Sequence, residues 1–262
     1  MPPRSFTDQL DNQIVVQVPP QRIVSLVPSQ TELLYYLGLN DRVVGITRFC
    51  AEPAEWRSTK TVVGGTKDFD LNTIEAIHPD LILGNKEENY RDGISKLAQR
   101  YPVWMSNIET LDDALAMISR VGEMTDCATQ SKSLVAEIED SLTRLPEIPP
   151  KRILYLIWRK PWMAAASGTF IHCMLHLAGF VNCLEKAERY PVLSDQQIRE
   201  LNPEVVMLSS EPFPFGQNHA KEVKSILPVT KVLLVDGKAF SWYGSRLRHF
   251  SDYVSRMLPD LL

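Results

Sequence analysis

The sequence carries no excess of basic charge: 28 Lys and Arg against 32 Asp and Glu leave a net charge of −4 and a pI near 5.8. Without a basic surface there is no electrostatic footprint for nucleic acid, and that class of partner is excluded. No apolar run reaches the roughly 18 residues that a bilayer span requires. The opening Met1-Pro2-Pro3-Arg4-Ser5 lacks an apolar stretch followed by a small-residue cleavage site. Read as written, nothing exports the chain, which implies a cytoplasmic location. Cys50, Cys127, Cys173 and Cys183 form no CxxC pair. That spacing reads as reduced, partly buried thiols, with a Cys173–Cys183 bridge as the alternative, and gives no zinc framework. There is also no GxSxG elbow, no P-loop and no GxGxxG, so nothing points to an enzyme or to a resident cofactor.

What is present is ordinary globular material: 262 residues, 44% hydrophobic and 23% charged, enough for two cores. Near the middle, Ser131, Leu134, Val135, Ile138, Leu142 and Leu145 recur on one helical face, with charged residues opposite. The spacing predicts one uninterrupted helix over 126–145, capped by Thr125 or Asp126, stopped by Pro146 and spanning roughly 30 Å. Short apolar runs alternate with amphipathic stretches on either side, as in Arg22–Val27, Leu81–Leu83, Arg152–Ile157 and Val205–Leu208. Such alternation predicts parallel sheets with helices on their faces. Ser29 and Glu32 stand at capping-box spacing, and Gly38 and Gly179 suit helix C-termini.

The two halves resemble each other. Thr73-Ile74-Glu75-Ala76-Ile77-His78-Pro79-Asp80-Leu81-Ile82-Leu83 aligns without gaps on Gln197-Ile198-Arg199-Glu200-Leu201-Asn202-Pro203-Glu204-Val205-Val206-Met207, and in that register Glu87 falls opposite Glu211. The expected fold is α/β: two small α/β lobes with parallel-type sheets, at 1–125 and 147–262, joined by a long backbone helix at 126–146. A ligand cleft is expected between the lobes. An unbroken helix without Gly or Pro predicts a stiff connector and little lobe closure.

Arg22-Ile23-Val24-Ser25-Leu26-Val27-Pro28-Ser29-Gln30-Thr31-Glu32, the Gly64-Gly65 turn before Leu71 and the apolar-x-Pro-Asp-Leu-Ile strand at Ile77–Leu83 resemble the helical-backbone substrate-binding proteins of ABC importers. These are the cobalamin and ferric-siderophore receptors, and the resemblance covers roughly residues 20–262. It implies a metal chelate as ligand, cobalamin or another corrinoid ahead of a ferric siderophore or haem. It also implies delivery to an ABC permease dimer, docked through an acidic residue on each lobe. Glu87 and Glu211 fit that role, with Glu88 as an equal candidate in the first lobe and solvated loop carboxylates as the plain reading. The receptor is expected to be a monomer. Members of the family are exported or lipid-anchored, in contrast to the opening of this chain.

A chelate of that kind is a broad disc with polar edges, which calls for aromatic faces and a few donors. Candidates in loops after the expected strands are Ser29, Arg48, Phe49, Thr66, Phe69, Trp158, Arg159, Trp162, Tyr190, Phe213, Trp242, Tyr243 and Arg246. Trp242 and Tyr243 read as ligand contacts or as a lobe-packing corner, Ser29 as a helix cap or a rim contact, and Arg159 as an anion contact or a stacked surface residue. His172 and His176 are spaced i, i+4, but Cys173 stands where a zincin needs Glu, so no metal site is assigned. A cytoplasmic metal-dependent enzyme or cofactor-handling protein on the same fold is the competing function, and a sensory or scaffold domain a third.

Overall fold

The structure, a computed structural model, describes residues 3–261. In chain order the first elements are β1 (Arg4–Thr7), β2 (Gln13–Val16), β3 (Ile23–Ser25), α1 (Pro28–Tyr36), β4 (Val43–Ile46), α2 (Trp56–Thr59), β5 (Thr61–Val62), α3 (Leu71–Ala76), β6 (Leu81–Asn85), α4 (Arg91–Ala98), β7 (Val103–Ser106), α5 (Leu111–Met124) and α6 (Ala128–Leu142). Then follow β8 (Arg152–Trp158), β9 (Trp162–Ala164), α7 (Phe170–Leu177), β10 (Val181–Asn182), β11 (Val192–Leu193), α8 (Asp195–Leu201), β12 (Val205–Ser209), α9 (Gln217–Ile226), β13 (Lys231–Val235), α10 (Gly237–Ser241), a 3-10 turn (Ser245–His249) and α11 (Phe250–Leu261).

The chain forms two compact α/β units. The first takes the chain up to Ile108 together with Asp112–Glu137 and Tyr243–Arg246; the second takes Glu109–Leu111, Ile138–Trp242 and the chain from Leu247 onward. Helix α6 thus gives its residues up to Glu137 to one unit and the rest to the other.

In the first unit five parallel strands lie in the order β5-β4-β3-β6-β7, and the residues of β3, β6 and β7 are buried throughout. Val24, Leu26, Ile74, Ile82, Leu97 and Val103 are among its core residues. The hairpin of β1 and β2 pairs antiparallel and its turn is tied to β7 through Gln9 N–H to the Met105 carbonyl. In the second unit β10, β8, β12 and β13 are parallel, while β9 and β11 add antiparallel neighbours. Its order is β11-β9-β8-β12-β13, with β10 also on β8.

The repeat has a physical meaning. β6 and β12 begin and end at aligned residues, Leu81–Asn85 and Val205–Ser209. His78 and Asn202, the variable residue before each proline, both take a left-handed φ of 43°. The acid after each proline then turns back to the first strand of its sheet: Asp80 accepts from the Gln21 and Arg22 N–H groups at 2.7 and 2.8 Å, and Glu204 accepts from the Arg152 N–H at 2.9 Å. Both arginines reach a helix-end carbonyl, Arg22 that of Ile77 and Arg152 that of Leu201. Replacing Asp80 with alanine strands two backbone donors and costs about 2 kcal/mol, against about 1 kcal/mol for Glu204→Ala, as urea midpoints will show.

Two helix expectations are corrected. α6 runs over Ala128–Leu142, 15 residues or roughly 22 Å, rather than from 126 to 145. Asp126 takes φ 60° and the Cys127 N–H bonds to the Gly122 carbonyl at 2.7 Å, so this stretch closes α5 instead of capping α6. The Thr125 hydroxyl is likewise spent on the Val121 carbonyl. Nor does Ser29 cap α1: Val27 holds the cap position with no side-chain bond, Pro28 occupies the first turn, and Glu32 turns elsewhere. Gly38 and Gly179 do close their helices, at φ 77° and 82°.

Candidate ligand-binding site

In each unit the chain builds strands outward on one side of a central strand and then returns to build on the other, β3 with β6 in the first and β8 with β12 in the second. A parallel sheet that reverses in this way leaves a crevice at the carboxyl ends of those two strands, where ligands bind in open α/β sheets. The two crevices of this chain are furnished differently.

At the first, Tyr243 is the main occupant. Its hydroxyl donates to Glu88 Oε1 at 2.9 Å, in the loop after β6, and faces Ser29 Oγ, which makes no hydrogen bond of normal geometry. Burial, then the Glu88 charge, raises the Tyr243 pKa well above that of a free phenol, so the ring stays a neutral donor. Gly244 follows because a Cβ there would stand 2.9 Å from the Ser29 carbonyl oxygen. Arg246 then pairs with Glu32, its Nε 3.2 Å from the carboxylate. The segment Tyr243–Arg246 therefore completes the first unit as structure, and Ser29 is buried beneath it.

The remaining first-unit candidates lie at the ends of β4 and β5. Phe49 is 54% exposed, with the Arg48 guanidinium 5.2 Å from its ring centre and paired with Asp68. Thr66 is half-buried and its carbonyl accepts from Asn89 Nδ2 at 3.0 Å. Phe69 is 4% exposed, packs on Tyr90 at 4.5 Å between ring centres, and belongs to the core.

At the second crevice the rings form a connected set. Trp158, 39% exposed, meets Phe213 edge-on at 5.6 Å; Phe213 meets Phe215 at 4.8 Å, and both meet His219 edge-on at 5.1 and 5.4 Å. Trp162 stacks parallel to Phe215 at 6.2 Å; it is buried in the core and its indole N–H donates to Asp195 at 2.9 Å. The Arg159 guanidinium carbon sits 4.0 Å from the Trp162 ring centre, with both its Nε and a terminal nitrogen on the Glu222 carboxylate. That bonding raises the guanidinium pKa and lowers the carboxyl pKa, as expected of a two-point ion pair. Arg159 is therefore not the open anion contact that its position among tryptophans suggests.

Glu211 and Trp242 complete this edge. The carboxylate accepts from the Trp242 indole N–H at 2.7 Å and from the Ser241 hydroxyl at 3.0 Å. Burial raises its pKa, and the two hydrogen bonds hold it down only in part. Trp242 is buried and follows the short helix α10, not a strand as the sequence implies. Glu87, its partner in the repeat, is half-buried and its backbone carbonyl accepts from Lys67 Nζ. Tyr190 is half-buried, with the Arg189 guanidinium 5.8 Å from its ring centre.

The structure thus brings Trp158, Phe213 and Arg159 together, keeps Arg48, Phe49 and Thr66 as a separate group, and removes Phe69, Trp162 and Ser29 into the interior. It also shows what the sequence reading left out. Glu222, Asp68 and Glu32 neutralise the three candidate arginines, and separations of 63, 20 and 214 residues give no local signal for such pairs. His219 had a signal: it stands three residues after Gly216, at helix-capping spacing.

His172 and His176 do face each other, with ring centres 4.5 Å apart. His172 Nδ1 lies 3.1 Å from Asn182 Nδ2 and His176 Nε2 lies 3.4 Å from Glu185. Burial, then the second histidine, lowers the His172 pKa. Among the described residues no group of three or more His, Cys, Asp and Glu is placed to hold a metal ion, and no helix is long and apolar enough to cross a membrane. All four cysteines are free thiols, Cys183 with a pKa pushed up to about 11 by burial.

Comparison with known proteins gives a consistent picture. The vitamin B12-binding protein of Pectobacterium atrosepticum is 24% identical over 253 residues, 92% of this chain and 90% of that protein. The crystal structure of the periplasmic vitamin B12 binding protein of Vibrio cholerae superposes with a TM-score of 0.77 at 23% identity, over 93% of this chain and 97% of that one. A periplasmic heme binding protein from Pseudomonas aeruginosa superposes with a TM-score of 0.80 at 19% identity, over 92% and 93%. The sequence profile described as periplasmic binding protein matches residues 23–226, most of the chain. With its paired α/β units and their reversing sheets, the chain belongs to the periplasmic binding protein family.

Proposed function

We propose that the chain is the substrate-binding component of an ABC importer and captures a planar metal chelate with a largely neutral periphery, a corrinoid ahead of a ferric siderophore or haem. The relatives named for vitamin B12 and the structural neighbours named for heme support the chelate class. The choice within it rests on one observation. The accessible aromatic surface of Trp158 and Phe213 is accompanied by an arginine whose charge is already cancelled, Arg159 by Glu222. Rings offer stacking area to any macrocycle, but a doubly anionic edge calls for a cation without a carboxylate partner. A rim of amides needs only neutral donors and acceptors.

The measurement is thermal and urea unfolding of the purified protein with dicyanocobinamide or with hemin. Dicyanocobinamide at about 100 times its dissociation constant adds about 2.7 kcal/mol of stability, and hemin at equal concentration adds less. A larger shift with hemin overturns the corrinoid preference, and no shift with either overturns the chelate reading. The same reading carries an importer permease as partner. Glu87 supports a docking role in the first unit; Glu211, held by Trp242 and Ser241, supports a role in positioning the loop after β12.

A further inference from the structure

His219 is a ring of the second crevice with a polar atom that no other side chain takes up among the described residues. It lies in the first turn of α9, where the Gly216 backbone N–H donates to its Nδ1 at 3.0 Å. A backbone amide can only donate, so Nδ1 is the lone-pair nitrogen and the neutral ring carries its proton on Nε2. Phe213 and Phe215 stand edge-on to the ring and fix its plane. Among the described residues His219 makes no other side-chain hydrogen bond, and Nε2 is not sealed from solvent. The Glu222 carboxylate, three residues on, is occupied by Arg159.

Resting on the corrinoid reading above, we propose that His219 is a specificity residue: its Nε2–H donates a hydrogen bond to an amide carbonyl on the ligand's rim and does not coordinate the ligand's metal. Coordination through Nε2 needs the opposite tautomer, with the proton on Nδ1, and that proton would oppose the Gly216 N–H. A donor at this place selects a carbonyl-bearing edge beside a flat apolar face. An aromatic cluster alone distinguishes poorly between flat ligands.

The test uses His219→Asn in the full chain. Asn keeps an acceptor near the Nδ1 position for the Gly216 N–H, and so preserves the start of α9, but it removes the Nε2–H donor. Titration of dicyanocobinamide, followed by tryptophan fluorescence, is expected to show about tenfold weaker binding with an unchanged melting temperature. Nitrogen-15 shifts of the wild-type imidazole are expected to show Nε2 protonated, and the absorbance of bound hemin is expected to be the same in both proteins. Equal affinity for dicyanocobinamide, an Nδ1-protonated ring, or a hemin spectrum altered by the substitution each overturns the proposal while leaving the function standing. A wild-type protein that binds neither probe overturns both.

Discussion

Replacing Gly64 with alanine lowers stability by about 3 kcal/mol, whereas Gly38→Ala lowers it by about 1 kcal/mol. Both glycines hold left-handed backbone, at φ 104° and 77°. Their surroundings differ: a Cβ on Gly64 would stand 2.7 Å from the Asp68 carbonyl oxygen and 2.8 Å from the Phe69 Cα, while nothing lies within 4 Å of one on Gly38. Backbone atoms cannot swing aside as a side-chain tip does, so the Gly64 turn must open. That turn bridges Gly64 to Phe69 and its carbonyl accepts from the Arg48 N–H at 2.7 Å. Opening it displaces Arg48, Phe49 and Thr66 together. Chemical unfolding gives the stability difference, and equal losses for the two variants would show that backbone strain alone governs both sites.

The second large effect concerns the Glu211 carboxyl. Replacing Trp242 with phenylalanine keeps most of the ring's packing but removes a donor 2.7 Å from a largely buried carboxylate, at a cost of about 2 to 3 kcal/mol at neutral pH. The pH dependence follows from the direction of the shift. Burial makes the folded carboxyl hold its proton to higher pH than the unfolded one, so its contribution to stability is full below the ordinary glutamate value of about 4.3. That contribution is lost as pH rises through the raised folded value. The penalty of Trp242→Phe therefore shrinks on acidification, when the lone acceptor becomes neutral. Glu211→Gln retains an oxygen for Trp242 and Ser241 without the charge, and removes the part of the pH slope that belongs to this group. Urea midpoints at pH 4 and pH 8 check both; a penalty for Trp242→Phe that is equal at the two values would assign the loss to packing instead.

Local chemistry made much of the architecture legible. The alternation of short apolar runs with amphipathic stretches requires helices over parallel strands, because only strands covered on both faces tolerate runs such as Leu81–Leu83 and Val205–Leu208. The apolar-x-Pro-acid unit was visible as a repeat, and its cause is backbone geometry: a left-handed residue, a proline that cannot donate, and a carboxylate that serves the neighbouring strand. Gly38 and Gly179 announced helix ends for the same local reason. The start of α6 was misread because Asp126, a good cap by type, is used in left-handed backbone to close the preceding helix. The hairpin of β1 and β2, the antiparallel strands β9 and β11 and the short α10 are too brief for periodicity to register.

The site was legible as a list of residue types and not as an arrangement. Aromatic and cationic residues in loops after strands could be picked out as a class, because a sheet of this kind places those loops on one edge. Sequence could not separate Trp158, which keeps an accessible face, from Trp162 four residues later, which is core; β9 turns back antiparallel on β8 and takes the second ring inside. Nor could it show that Arg159, Arg48 and Arg246 are neutralised, since each partner carboxylate arrives from another element. The sequence by itself determined the α/β class, the repeated unit and the family, all of which depend on neighbours along the chain. Only the tertiary structure decided which rings stay accessible, which charges survive and which nitrogen of His219 carries a proton. Those properties depend on atoms that the fold brings together from positions far apart in the chain.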